Sequence, residues 1–125
     1  MSRLVLAPME GLADYVMRDM LTRQGGLDGC VSEFVRVVGS LLPLRVYERD
    51  TPEVLHGAFT PSGTPMVIQL LGSDPEWMGV NAAQAARVSP HGIDLNFGCP
   101  AKVVNRHGGG AMLLAHPEQL HAIVT

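Results

Sequence analysis

The most usable chemistry in this chain lies in Asn96-Phe97-Gly98-Cys99-Pro100. It follows a short apolar run, Gly92-Ile93-Asp94-Leu95, that reads as a buried strand. Gly98 lets another group approach the backbone closely, and Pro100 removes a donor and fixes one dihedral. Cys99 is thus held on a stiff, open turn. An unperturbed thiol, with a pKa of about 8.5, is mostly protonated at neutral pH and can serve as a general acid. With a depressed pKa it would be a nucleophile and would call for a histidine base, and His107 is the only histidine in the adjoining loop.

Other polar groups recur where apolar runs end. Leu4–Ala7 gives way to Pro8-Met9-Glu10-Gly11, and Cys30–Phe34 carries Glu33 and leads to Arg36. Gln69 sits inside the apolar run Met66–Leu71. Leaving its amide buried and unpaired would cost about 1–3 kcal/mol, so it is either satisfied by neighbouring backbone or hydrogen-bonds the edge of a planar heterocycle. Glu33 is either an ion-pair partner for a nearby arginine or a site residue. Cys30 reads as a small buried apolar residue. Gly108-Gly109-Gly110-Ala111 either lets the backbone approach a phosphate or forms a turn before a helix; it is not G-x-G-x-x-G and does not directly follow a strand. Lys102 and Arg106 make this neighbourhood locally positive.

The elements that must position these groups alternate. Strands are expected at Leu4–Ala7, Cys30–Phe34, Met66–Leu71 and Ile93–Asn96. A helix is expected over about 13–24, with Val16, Met17, Met20 and Leu21 on one face, Asp14 and Arg18 at i,i+4, and Gly25-Gly26 as its stop. A second is expected near 37–47, and Asp50 to Pro65 reads as loop. A third starts at Ser73-Asp74-Pro75-Glu76, where Ser73 and Glu76 have capping-box spacing, and runs to about Val88. A fourth opens at His116-Pro117-Glu118 and runs to the chain end. Four βα units with continuous apolar strands mean an α/β fold with a parallel sheet, either doubly wound and open or half of a (β/α)8 barrel. A complete barrel takes about 250 residues, so these 125 read as its N-terminal half. Working residues in such barrels stand at the C-terminal ends of the strands, which are the ends named above.

The totals narrow the classes. The residues are those of a globular protein large enough for one domain with a core. No apolar run approaches the roughly 20 residues that span a membrane, and the N-terminus is too short for a signal h-region, so the chain reads as cytoplasmic. Two cysteines with no C-x-x-C spacing read as free thiols. His116 and His121 do not share a helical face, and no metal site is expected. A net charge of −3 argues against a nucleic-acid surface carried by this segment alone.

Taken together, Ala7–Gly11, Gln69-Leu70-Leu71-Gly72, Asp94–Lys102 and Gly108–Ala111 closely resemble tRNA-dihydrouridine synthases, in the family's order and over essentially the whole chain. Glu33–Val38 looks most like the bacterial C branch, which the resemblance links to uridine 16 of the tRNA D-loop. The resemblance implies reduction of the uracil C5–C6 double bond with flavin mononucleotide (FMN), itself reduced by NADPH. It implies that Pro8, Met9 and Glu10 line the flavin and that Gln69 hydrogen-bonds the isoalloxazine. It further implies that Cys99 protonates C5, and that Arg36, Asn96 and Lys102 contact the substrate nucleotide or its neighbours. The target base must leave the RNA stack to reach a barrel mouth.

Family members continue with four more βα units and a C-terminal helical tRNA-binding domain. With them come a flavin-contacting lysine, phosphate-binding loops and most of the basic surface. The expectation is therefore a partial flavin-binding domain over 1–125, inactive in isolation, from a protein that is monomeric when complete. The competing readings are another FMN barrel oxidoreductase acting on free pyrimidines, and an inactive half-barrel or module that dimerises to cover its sheet edges.

Overall fold

The computed structural model describes residues 2–125. Its strands are β1 (Val5–Leu6), β2 (Gly29–Arg36), β3 (Met66–Leu71) and β4 (Ile93–Leu95). Between and after them lie helices α1 (Tyr15–Arg23), α2 (Leu44–Asp50), α3 (Pro75–Ala86), α4 (Lys102–Arg106) and α5 (Pro117–Val124). Two 3-10 segments occupy Pro52–His56 and Gly110–Ala115. Among the described residues no helix is long and apolar enough to cross a membrane.

Strand order separates the two architectures open from sequence. All pairings within the sheet are parallel, and the strands lie in the order β1-β2-β3-β4. A doubly wound sheet reverses its direction of growth at a switch point. Here every βα unit adds its strand beside the preceding one, which is the winding of a (β/α)8 barrel. The chain forms the N-terminal four βα units of such a barrel.

Side-chain alternation gives β3 two faces. Met66, Ile68 and Leu70 are fully buried in the cluster that includes Tyr47, Met78, Ala85 and Leu113. Val67, Gln69 and Leu71 share the opposite face. Cys30 is also in the core, and burial pushes its thiol up to about 11, with Arg18 acting to lower it and Glu53 to raise it. It is an inert packing residue, as its place in an apolar strand suggests.

Helix α1 packs in a way its apolar pattern does not anticipate. Val16, Met20 and Leu21 are exposed, whereas Arg18 and Thr22 are buried. Arg18 makes a forked ion pair with the buried Glu53, Nε to Oε1 at 2.7 Å and Nη2 to Oε2 at 3.1 Å. Its Nη1 donates to the Ala13 carbonyl at 2.8 Å. Thr22 Oγ1 lies 3.0 Å from both Thr60 Oγ1 and Ser62 Oγ. Asp14 does not pair with Arg18; it caps the helix, its Oδ1 accepting from the Met17 N–H at 2.9 Å.

Other expectations also change. The stretch from Val38 to Pro43 is not helical, and α2 begins only after Pro43. Asn81 on α3 holds this stretch open, accepting from the Leu42 N–H and donating to the Ser40 carbonyl, both at 2.9 Å. The cap of α3 is Asp74, which accepts from the Trp77 N–H, while Ser73 donates to the His107 carbonyl instead. β2 runs two residues past Phe34, β4 stops one residue short of Asn96, and α3 ends at Ala86. The expected loop over 50–65 contains the first 3-10 segment, and α4 and the second 3-10 segment are additions.

Candidate active site

The carboxyl ends of the four strands open onto one cavity of about 640 Å³, lined among others by Pro8, Glu10, Phe34, Gln69, Asn96 and Cys99. Each wall has a local cause. After β1, the Met9 carbonyl accepts from the N–H groups of Leu12 (3.1 Å) and Ala13 (2.8 Å), folding the segment back into α1. Glu33 on β2 fixes the same turn, its Oε2 accepting from the Gly11 N–H at 2.5 Å. Glu33 thus binds backbone rather than an arginine.

Register brings the next groups together. Phe34, Gln69 and Asp94 stand opposite one another across β2, β3 and β4. Gln69 Nε2 donates to Asp94 Oδ2 at 2.6 Å, and Gln69 Oε1 accepts from Asn96 Nδ2 at 3.0 Å. Asn96 Oδ1 in turn accepts from the N–H groups of Gly98 (3.0 Å) and Cys99 (2.9 Å). The partners of the Gln69 amide are therefore side chains, not the backbone. A primary amide has two N–H donors and two carbonyl lone pairs, so one of each on Gln69 remains unused in this network.

The loop after β4 is braced from behind as well. The Cys99 carbonyl accepts from the Ala111 N–H at 3.0 Å, and Asn105 Nδ2 donates to the Pro100 carbonyl at 3.0 Å. Gly110 has φ +58°, and a Cβ there would lie 2.6 Å from the Cys99 oxygen and 2.9 Å from Val104 Cγ1. The glycine run therefore lets the chain pass close beneath the cysteine. Gly110→Ala is expected to cost about 1–3 kcal/mol in urea unfolding and to loosen the Cys99 loop. Gly79→Ala, on an exposed helical position with nothing within 4 Å, serves as the control and is expected to be neutral or stabilising by up to about 1 kcal/mol.

The remaining residues singled out from sequence lie apart from this cavity wall. Met9 is exposed and acts through its carbonyl. Arg36, exposed at the end of β2, has its guanidinium 6.0 Å from the Phe34 ring centre and lines a neighbouring cleft of about 270 Å³ with Ser73 and His107. Lys102 is exposed at the start of α4. His107 lines Arg36's cleft rather than the cavity of Cys99, and among the described residues no hydrogen bond joins its ring to the thiol. Sequence reasoning left Asp94 and Gly110 without their own roles. The only signal for Asp94 was a carboxylate inside a short apolar run; its alignment with Gln69 depends on strand register.

Four parallel βα units thus gather a thiol, two amides and a carboxylate at adjoining strand ends, where βα barrels carry their working residues. This chain belongs to the dihydrouridine synthase family: the model of that family, described as Dihydrouridine synthase (Dus), matches residues 5–125. It is 80% identical over 125 residues to a tRNA-dihydrouridine(16) synthase of Ralstonia nicotianae, covering 100% of this chain and 38% of the relative. To the protein of the same name from Cupriavidus necator it is 80% identical over 124 residues, covering 99% and 38%. The one from Vibrio cholerae is 57% identical over 122 residues, covering 98% and 38%. The chain thus spans well under half the length of these relatives.

Proposed function

We propose that this chain contributes the acid-bearing wall of a site that reduces uridine 16 of tRNA to 5,6-dihydrouridine. The observation that carries this reading is the continuous hydrogen-bonded line from Gln69 through Asn96 to the Cys99 amide, at the edge of a cavity open at the strand ends.

The residues present fit a flavin. The unused N–H and lone pair on Gln69 match the alternating donors and acceptors on the edge of an isoalloxazine, and Pro8 and Phe34 offer apolar surface to a planar ring. Gln69 and the Pro8–Glu10 turn would hold it. When bound, reduced flavin mononucleotide supplies the hydride for uracil C6, with NADPH as the source of its electrons. Asn96 keeps the Gly98–Cys99 amides turned inward, which aims the thiol from a fixed backbone. Cys99 delivers its proton to C5, and Pro100 limits how far the loop can recoil. His107 stands in a different cleft, which supports the acid role over a base-activated nucleophile. Arg36 and Lys102, both exposed and outside the cavity wall, are suited to phosphates of a bound RNA.

The test is a chimera joining this chain to the remaining sequence of the Ralstonia relative, given tRNA that lacks dihydrouridine. Dihydrouridine at position 16 alone is the expected product. Reduction of free pyrimidines with none on tRNA would overturn the reading in favour of a small-molecule oxidoreductase, and modification at another position would overturn the site assignment.

A further inference from the structure

We propose that Asp94 is a positioning residue that sets the polarity of the amide line holding Cys99; the inference deepens the reading of Cys99 as proton donor and rests on it. The connection is Asp94 Oδ2 to Gln69 Nε2 (2.6 Å), Gln69 Oε1 to Asn96 Nδ2 (3.0 Å), and Asn96 Oδ1 to the N–H groups of Gly98 and Cys99. Each amide side chain can present either its oxygen or its nitrogen, and nothing intrinsic to Gln or Asn selects between them. The two ends of the line remove that freedom. A carboxylate only accepts, so Gln69 must turn its NH2 toward Asp94 and its oxygen toward Asn96. The backbone N–H groups of Gly98 and Cys99 only donate, so Asn96 must turn its oxygen toward them and its NH2 back toward Gln69. The two requirements agree, and the line has one sense of polarity from strand to loop.

Asp94 acts at both ends of this line. It determines which edge of Gln69 is left facing the cavity, and it reinforces the Asn96 orientation that keeps the cysteine loop folded. Without an acceptor at position 94, Gln69 can flip; Asn96 then meets an NH2 group and loses its partner or turns its own amide. The Gly98 and Cys99 N–H groups lose their acceptor and the loop is freed. Asp94 need not touch substrate for this.

The test uses the chimera described above, with Asp94→Leu, which keeps the branched heavy-atom shape but has no acceptor, and Asp94→Asn, which keeps an acceptor but allows either polarity. Two readouts are taken: kcat and KM on tRNA, and the rate of iodoacetamide alkylation at Cys99 followed by peptide mass spectrometry. Cys30, buried in the core, does not interfere. In Asp94→Leu, kcat is expected to fall about tenfold with KM for tRNA within about twofold, because misaiming a reacting group costs rate rather than binding. Alkylation of Cys99 is expected to rise about fivefold, the scale of one net hydrogen bond lost from the loop. Asp94→Asn is expected to fall between Asp94→Leu and the parent in both readouts, and it carries the test alone if Asp94→Leu does not fold. Asn96→Ala should raise alkylation similarly, and the double variant Asp94→Leu/Asn96→Ala no further than either single one, since all act through one line. Parental alkylation in the Asp94 variants overturns the proposal, whether or not kcat falls. Faster alkylation in those variants together with full activity in Cys99→Ala would uphold the positioning role and defeat the proton-donor reading instead.

Discussion

Cys99→Ala in the chimera is expected to lower dihydrouridine formation on tRNA by about two to four orders of magnitude, the contribution usual for a positioned general acid. KM for tRNA should stay near the parental value, because the side chain sits at the cavity edge while the exposed cations Arg36 and Lys102, proposed above to meet RNA phosphates, are untouched. Cys99→Ser sharpens the result: a hydroxyl fits the same loop but is a far weaker acid, so it should keep parental binding and recover little rate. The measurement is dihydrouridine per tRNA over time, with thermal unfolding of each variant alongside. Parental rates in Cys99→Ala would show that the proton comes from elsewhere. A rate loss explained by unfolding is excluded if the serine variant melts with the parent and is still slow.

Arg18→Met is expected to destabilise the fold by about 3–5 kcal/mol in urea unfolding, a large share of the roughly 5–15 kcal/mol that holds a domain together. Arg18 is completely buried and Glu53 nearly so, and their forked pair is supplemented by the Ala13 carbonyl. Removing the guanidinium strands a carboxylate in the core, and that uncompensated charge, rather than the lost attraction, accounts for most of the cost. Glu53→Leu strands the opposite charge and should cost a similar amount. The double variant Arg18→Met/Glu53→Leu should recover much of the loss, because two apolar side chains then replace two charges. Additive losses in the double variant would show no coupling between the two side chains and would overturn the assignment of the cost to a stranded charge.

Some of this was legible in residue order and some was not. β3 and the body of α3 follow from apolar runs and from a proline at the helix start, which are local signals. The choice between an open doubly wound sheet and a barrel was not local, since it depends on which strand lies beside which. The inward face of α1 was misread for a related reason. Val16 and Met20 form an apolar pair at i,i+4, but the buried line is Arg18 and Thr22, because Glu53 and Thr60 lie more than thirty residues further along the chain. The helix expected near 37–47 starts late, at Leu44, because Asn81 binds the Ser40 carbonyl and the Leu42 N–H ahead of Pro43.

At the site, Gln69, Asn96 and Cys99 could be singled out because each is an unusual residue at a strand end. Their mutual contacts could not, because a one-residue change of register would separate Gln69 from Asp94. Gly110 looked like ordinary turn material, and only its 2.6 Å clearance beneath Cys99 shows why alanine is unsuited there.

The strictly sequential order of the strands has a consequence for synthesis on the ribosome. Each strand pairs with the one translated just before it, so pairing partners are never far apart along the nascent chain, and closure costs stay low. The Gln69–Asn96–Cys99 line can therefore be complete once α4 and the glycine run have emerged, with nothing translated afterwards needed to form it. The loop that carries the thiol is thus anchored by partners from the same stretch of nascent chain.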